Sequence, residues 1–329
     1  MGAEETEISV SARRVALGVM TSLLGGLVLA TALILAARLG WFTELFTHFR
    51  VQGAVAGLGL APLLLLLGAR RRALLAFAVG LGHGAAIAPA WLPGAPVPQG
   101  LPRFRLLSAN LLTENEAHGE LLALVREEKP DVVMLVEVGQ RWAADLETLA
   151  DEYPVRRFAP QEDNFGVAAL ARDRRATVEI VYCGPMGVPS TRVRLPVGDT
   201  VVTLLSTHTM PPIGGGAASD RNAQLVECGQ VLNREPGPRV LAGDLNVTPW
   251  SPAFADLLAA TGLLDSRAGF GVQASWLVGF PPLSIPIDHA LHSPDLAVLE
   301  RRIGPEFGSD HRPVIVDFAF SPTLTYNVR

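Results

Sequence analysis

The chain has 329 residues, 49% of them apolar, and carries 27 basic against 32 acidic side chains for a formal net charge of −5. The first hundred residues hold four acidic residues and seven arginines, so from residue 101 onward 28 acidic face 20 basic side chains, a formal −8, with Lys129 the only lysine. That balance argues against tight, sequence-independent binding of long nucleic acid, which draws on clustered Lys and Arg, and no stable nucleic-acid partner is expected.

The apolar excess lies at the amino-terminal end. Residues 15–37 carry no charge and are long enough to cross a bilayer, and 51–69 and 73–92 form two further spans. Three spans are predicted rather than a cleaved signal peptide, whose apolar core is shorter and needs no further spans after it. Arg13 and Arg14 precede the first span and Arg70, Arg71 and Arg72 fill the connection between the second and third, whereas Arg38 and Arg50 flank the other loop. Basic residues collect on the cytoplasmic side. The chain is therefore expected to be a multi-pass protein of a cell membrane, with the bilayer as a partner and everything after residue 93 extracytoplasmic. PGAPVPQGLP at 93–102 reads as a short, stiff linker, and 103–329 as the catalytic domain.

From residue 103 strands predominate. A helix is predicted at 119–128, a strand at 131–137 and a helix at 140–149. Strands follow at 166–171, 177–183, 192–196 and 201–208. An amphipathic helix covers 218–233, a strand 239–246, a helix 251–262, and strands 287–292 and 314–320 close the pattern. Ser251 and Pro252 suit a helix N-cap and first turn. Many strands and few helices imply an α/β fold, two sheets packed together with helices outside. Cys183 and Cys228 are too few for a disulfide framework and match no zinc spacing. Two separate buried thiols are the plainer expectation, one disulfide outside the cytoplasm the alternative.

Polar residues recur where apolar runs end. Asn110 closes FRLLSAN, Glu137 closes DVVMLVE, His208 closes VVTLLSTH, and Asp244 with Asn246 closes RVLAGDLN; Asp310 and His311 precede PVIVDFAF. Ligands gather where the strands of such sheets end. Glu137, flanked by apolar residues, faces a desolvation cost that a cation would remove, and Mg2+ prefers oxygen ligands. Asp244 and Asn246, two apart in extended chain, share a face and suit a general base and a hydrogen-bond donor to phosphorus-bound oxygen. Asp310 offers a second oxygen ligand. His311 needs a carboxylate to orient its ring, and Asp288 in PIDHAL is the candidate. Arg221 and Asn164 are weaker candidates for substrate contact. Taken singly, each of these residues has a plain structural explanation; five separate strand ends carrying idle polar groups do not.

The ordered set SAN, LVE, STH, GDLN, IDH and GSDHRP resembles the endonuclease/exonuclease/phosphatase superfamily over about 105–320. The resemblance implies a four-layer sandwich of two mixed β-sheets flanked by helices. It also implies Mg2+ or Mn2+ held on the side of Asn110, Glu137 and Asp310, with His208, Asp244, Asn246, Asp288 and His311 catalytic. With three spans in front, the layout is similar to membrane-anchored bacterial members, teicoplanin-resistance proteins among them. That implies a lipid-linked phosphate or diphosphate, such as undecaprenyl diphosphate, met at the outer face. The alternatives are an extracytoplasmic nuclease or phospholipid diesterase, and a non-catalytic module that binds phosphorylated ligands.

Overall fold

The computed structural model describes residues 2–92 and 100–321, so most of the expected 93–102 linker lies outside the described residues. The chain divides into two compact units, residues 1–89 with 250–252, and the remainder.

The first unit is helical: α1 (Gly2–Leu35), α2 (Trp41–Leu45), α3 (Arg50–Leu66) and α4 (Arg70–Ile87). Three stretches, Ser11–Leu35, Trp41–Leu66 and Arg70–Trp91, are long and apolar enough to cross a membrane. The second begins ten residues earlier than the sequence pattern suggests. A 3-10 turn at Phe46–Phe49 joins α2 to α3, so Arg50 lies within a helical run instead of flanking a loop. The third also starts early, because Arg70, Arg71 and Arg72 form the first turn of α4. Arginine is a good helix former whose stem lies along apolar surface while its head stays in water. Helices α3 and α4 pack closely: a Cβ on Gly57 would meet the Gly80 Cα at 2.6 Å.

The second unit holds twelve strands in two six-stranded sheets among the described residues. Its elements are β1 (Arg103–Asn110), α5 (His118–Glu128), β2 (Val132–Val136), α6 (Gln140–Leu146), β3 (Val155–Ala159), β4 (Val167–Ala171), β5 (Thr177–Tyr182) and β6 (Pro189–Val197). Then come β7 (Thr200–Ser206), α7 (Gly215–Asn233), β8 (Arg239–Asp244), α8 (Pro252–Thr261), β9 (Leu264–Asp265), β10 (Asp288–His292), β11 (Leu296–Ile303) and β12 (Val314–Phe320). The sheet orders are β11-β12-β1-β2-β4-β3 and β5-β6-β7-β8-β10-β9. Each sheet has one parallel pair, β1 with β2 and β7 with β8, among antiparallel neighbours. Read from opposite ends, the two sheets share one pattern of directions, so the halves are pseudosymmetric although no linear motif repeats.

Side chains alternate across each strand and so supply two faces. Leu106, Met134, Leu204 and Val240 face the core between the sheets. Leu107 and Leu135 pack with Leu121 of α5 and Trp142 of α6. Leu205 and Leu241 pack with Leu225 of α7 and Phe254 of α8. The result is the expected four-layer sandwich, helix, sheet, sheet, helix. Cys183, just after β5, is bonded to Cys228 on α7, in place of the two separate thiols expected. The closed loop of 45 residues corresponds to roughly 4 kcal/mol in the chain-entropy treatment of cross-links.

The parallel pairs decide where function concentrates. Parallel neighbours end on the same edge, so β1 and β2 deliver Asn110 and Glu137 together. Likewise β7 and β8 deliver His208 and Asp244. Antiparallel β10 starts at Asp288, in register with Asp244. Chain entering β12 at Val314, in register with Ser108, brings Asp310 and His311 to the same end.

Candidate active site

The strand ends converge on one buried cleft. Asn110 donates from Nδ2 to Glu137 Oε1 at 2.8 Å and to Asp244 Oδ2 at 3.1 Å. His311 Nε2 lies 3.6 Å from Asp244 Oδ2 and 3.9 Å from Asp310 Oδ1. On the ring's other side, Nδ1 donates to Asp288 Oδ2 at 2.8 Å. His208 Nε2 sits 3.6 Å from Asp244 Oδ2 and 3.9 Å from Glu137 Oε1, and faces Asn246 Nδ2 at 3.2 Å. Asn246 also donates from its backbone N–H to Asp244 Oδ1 at 2.9 Å. Eight of the ten residues singled out in the sequence thus form one contiguous network.

Backbone geometry bends to make this possible. Leu112, Glu137, Asn164 and Asn246 adopt φ of 57°, 58°, 69° and 48°, the left-handed region that side-chain-bearing residues seldom occupy. Such conformations cluster where function, not stability, sets the backbone. Gly243, at φ 116°, lets β8 pass against its neighbour, since a Cβ there would meet the Thr207 carbonyl oxygen at 2.1 Å.

Charge is set by burial and neighbours. Burial and the adjacent Asp288 push the Asp244 carboxyl up to about 6, against the pull of His311, His208 and the Asn246 N–H. Burial opposes a charged His311 ring, but Asp288 and Asp244 outweigh it and raise the imidazole to about 10. Asp288 is lowered: burial raises it, and the His311 cation and hydrogen bond more than offset that. At neutral pH the cleft therefore holds a protonated His311 locked onto an ionised Asp288.

A model of the Endonuclease/Exonuclease/phosphatase family matches residues 107–311, the stretch that spans the network. The chain belongs to that family. No curated protein matches it in sequence. Among solved structures it is similar to D. rerio TDP2 humanized by 14 mutations, at 16% identity over 66% of this chain and 98% of the other, TM-score 0.55. The human Nocturnin catalytic domain with bound sulfate is 18% identical over 67% and 94%, TM-score 0.56. The Beutenbergia cavernae endonuclease/exonuclease/phosphatase is 21% identical over 67% and 72%, TM-score 0.52. At these identities the likeness is one of fold.

Endonuclease/exonuclease/phosphatase members are phosphoesterases, commonly dependent on a divalent metal, and the donors here fit one. Glu137, Asp244, Asp288 and Asp310 bring four carboxylates to the cleft, and hard oxygen donors suit Mg2+ or Mn2+. Asp244, Asp288 and His311 lie close enough together to hold an ion. However, that trio is already an ion pair with a protonated ring, which a cation would have to displace. Glu137 is in no such close ion pair: its Oε1 accepts from Asn110, and among the described residues its Oε2 accepts the Thr113 N–H, at 3.3 Å. Asn110 differs from the expected oxygen ligand. Its Oδ1 accepts the Leu112 N–H at 3.0 Å, so its nitrogen faces the carboxylates and holds Glu137 next to Asp244.

The remaining two candidates, the weaker pair proposed for substrate contact, make other contacts. Arg221 is fully buried and donates to the Asn246 carbonyl at 3.2 Å and to Asn222. It holds the left-handed turn at Asn246 from behind the cleft. Asn164 contributes its main-chain carbonyl, which accepts from His208 Nδ1 at 2.8 Å; its side chain is exposed. Sequence reasoning missed three supports. Ser309 Oγ donates to the Asn110 carbonyl and accepts from the His311 N–H. Ser275 Oγ accepts the Asp288 N–H. Trp276 Nε1 donates to Asp310 Oδ2 at 2.9 Å. Ser309 stands inside the GSDH motif and was open to inspection there; Ser275 and Trp276 carry no linear signal.

Proposed function

We propose that the chain is a membrane-anchored, metal-dependent phosphohydrolase that cleaves a phosphoester or diphosphate of a lipid-linked substrate, such as an isoprenyl diphosphate, at the outer face of a bacterial membrane. The observation that carries the reading is the arrangement around Asp244, an elevated carboxylate with Asn110, His208, Asn246 and His311 around it. A carboxylate near 6 accepts a proton from water at neutral pH without being inert. Asp244 Oδ2 takes the proton of the attacking water. Asn246 and His208 align that water and a phosphoryl oxygen. His311, held protonated by Asp288, donates from Nε2 to the oxygen on which negative charge grows. Glu137 and Asp310 are the residues that would hold Mg2+ or Mn2+, with Asn110 orienting Glu137. When bound, the metal supplies Lewis-acid polarisation of a phosphoryl oxygen.

Membrane-spanning helices before the domain, and family kinship to membrane-anchored members suggested by THTMPP, GDLNVTPWS and PIDHALHS, support the lipid-borne substrate. A tether raises the local concentration of such a substrate. The Cys183–Cys228 bond supports the extracytoplasmic side, where disulfides persist. In intact cells, externally added protease is expected to cut the domain; its protection would refute the orientation. A nuclease reading draws on one fold relative, a D. rerio TDP2 structure described with a single-strand DNA product. The acidic balance of the domain weighs against it.

The function is tested with full-length chain in detergent or nanodiscs, Mg2+, and three substrates offered separately: a prenyl diphosphate, phosphatidylcholine and plasmid DNA. Phosphate release from the prenyl compound, abolished by EDTA, is expected. Nicked plasmid would favour the nuclease, and binding without turnover of any substrate the silent module.

A further inference from the structure

The helical unit contains a groove of about 730 Å³ between α1 and α3. On α1 it runs from Met20 to Ile34, about 21 Å at the helical rise. Its walls are carved by small residues, Gly26, Ala30 and Gly59 among them, and the Met20 end is apolar apart from Ser22.

The other end is not. Gln52 and His83 line it. His83 is only 2% exposed; its Nε2 meets Thr31 Oγ1 at 3.1 Å, while its Nδ1 has no hydrogen-bond partner among the described residues. Gly53 lets the ring lie there, since a Cβ would meet His83 Cε1 at 2.6 Å. Ionisable residues kept inside a membrane-spanning bundle are costly and mark ligand pathways.

A slot with Gln52 and His83 at one end and a largely apolar remainder matches an amphiphile with a single chain in the slot. We infer that this groove seats the hydrocarbon tail of the lipid phosphate, head end at His83 and Gln52, so that the spanning helices bind substrate as well as anchor the chain. The inference rests on the lipid-phosphate reading of the catalytic domain.

Gly26 and Gly59 supply the test, because a Cβ at either meets nothing within 4 Å; a larger side chain fills the groove without touching the α3–α4 packing. Gly82, equally open but outside the groove, is the control. Full-length chain in nanodiscs is assayed on a long-chain prenyl diphosphate and on the water-soluble ester bis(p-nitrophenyl) phosphate. The ratio of kcat/KM, prenyl to soluble, is expected to fall about tenfold or more in Gly26→Phe and Gly59→Phe and to stay within about twofold in Gly82→Phe. An unchanged ratio in the groove variants, or an equal fall in the control, overturns the proposal. Photolabelling with a benzophenone-bearing prenyl phosphate reads occupancy without turnover. Label at residues 20–34 and 52–63, displaced by prenyl phosphate but not by phosphatidylcholine, is expected. Label confined to the catalytic domain, or displaced equally by phosphatidylcholine, overturns the proposal. A parent chain that hydrolyses neither substrate defeats the hydrolase reading instead, and the photolabelling then decides the groove by itself.

Discussion

Asp244→Asn is expected to cut turnover about a thousandfold, within the range that general-base catalysis contributes, without unfolding the protein. The amide keeps the shape of the carboxyl but has one oxygen where the carboxylate offers Oδ2 to Asn110 and Oδ1 to the Asn246 N–H, and it takes no proton from water. Stability should move the other way. Burial and Asp288 hold the Asp244 carboxyl up at about 6, so its ionised form is disfavoured in the folded state. As pH rises through about 6 the parent must carry that buried charge and loses stability relative to the variant. In EDTA, thermal unfolding should therefore find the stability of Asp244→Asn relative to the parent improving as pH rises from 5 to 8, whatever the amide costs by leaving one buried donor unpaired. A variant that turns over normally, or whose stability relative to the parent does not improve from pH 5 to pH 8, contradicts the role assigned.

His311→Gln is the second large effect, a loss of about a hundredfold to a thousandfold in kcat, as for the removal of one donor to a developing oxyanion. Asp288 has no assigned contact with substrate; it acts through the ring, by its 2.8 Å bond to Nδ1. Asp288→Asn alone should cost about tenfold to a hundredfold, because the ring loses its charged partner. In the His311→Gln background the same change should cost almost nothing, since groups that act as a unit are not additive. Steady-state kinetics of the two single variants and the double variant complete the cycle. Additive losses would mean that Asp288 works independently of His311, and the assigned pairing would fall.

How far the sequence reveals this molecule depends on the kind of signal each part carries. The two-sheet sandwich was legible because its central strands are uninterrupted apolar runs, such as VVMLV in β2 and VAALA in β4, fully buried in the structure. Strands β3 and β11, and the two-residue β9, are absent from the sequence reading. VRRFA of β3 is only partly buried, and ERR in β11 lies on an edge strand with a register shift between Val298 and Glu300; neither alternates cleanly. The polar strand ends were legible because a glutamate or histidine after an apolar run is out of place locally. What periodicity and spacing do not contain is pairing across the chain. That Asn110 would present its nitrogen to Glu137 and Asp244, 27 and 134 residues away, or that Arg221 would turn to the Asn246 carbonyl, 25 residues away, depends on how separate elements pair in space. The Cys183–Cys228 bond belongs to the same class: it follows from α7 packing beside the chain that leaves β5, where Gly184 lies against Gln224, not from the spacing of the two cysteines.

The most direct test of the account is to locate a bound cation. Crystals of the protein soaked in Mn2+ with a phosphate analogue, with anomalous scattering recorded at the manganese edge, would place the ion independently of any assay. The account predicts a peak coordinated by the Glu137 carboxylate, on the side of the cleft that Asp310 faces, with the His311–Asp288 pair intact. A peak seated between Asp244, Asp288 and His311, or no peak in the cleft at all, would contradict it.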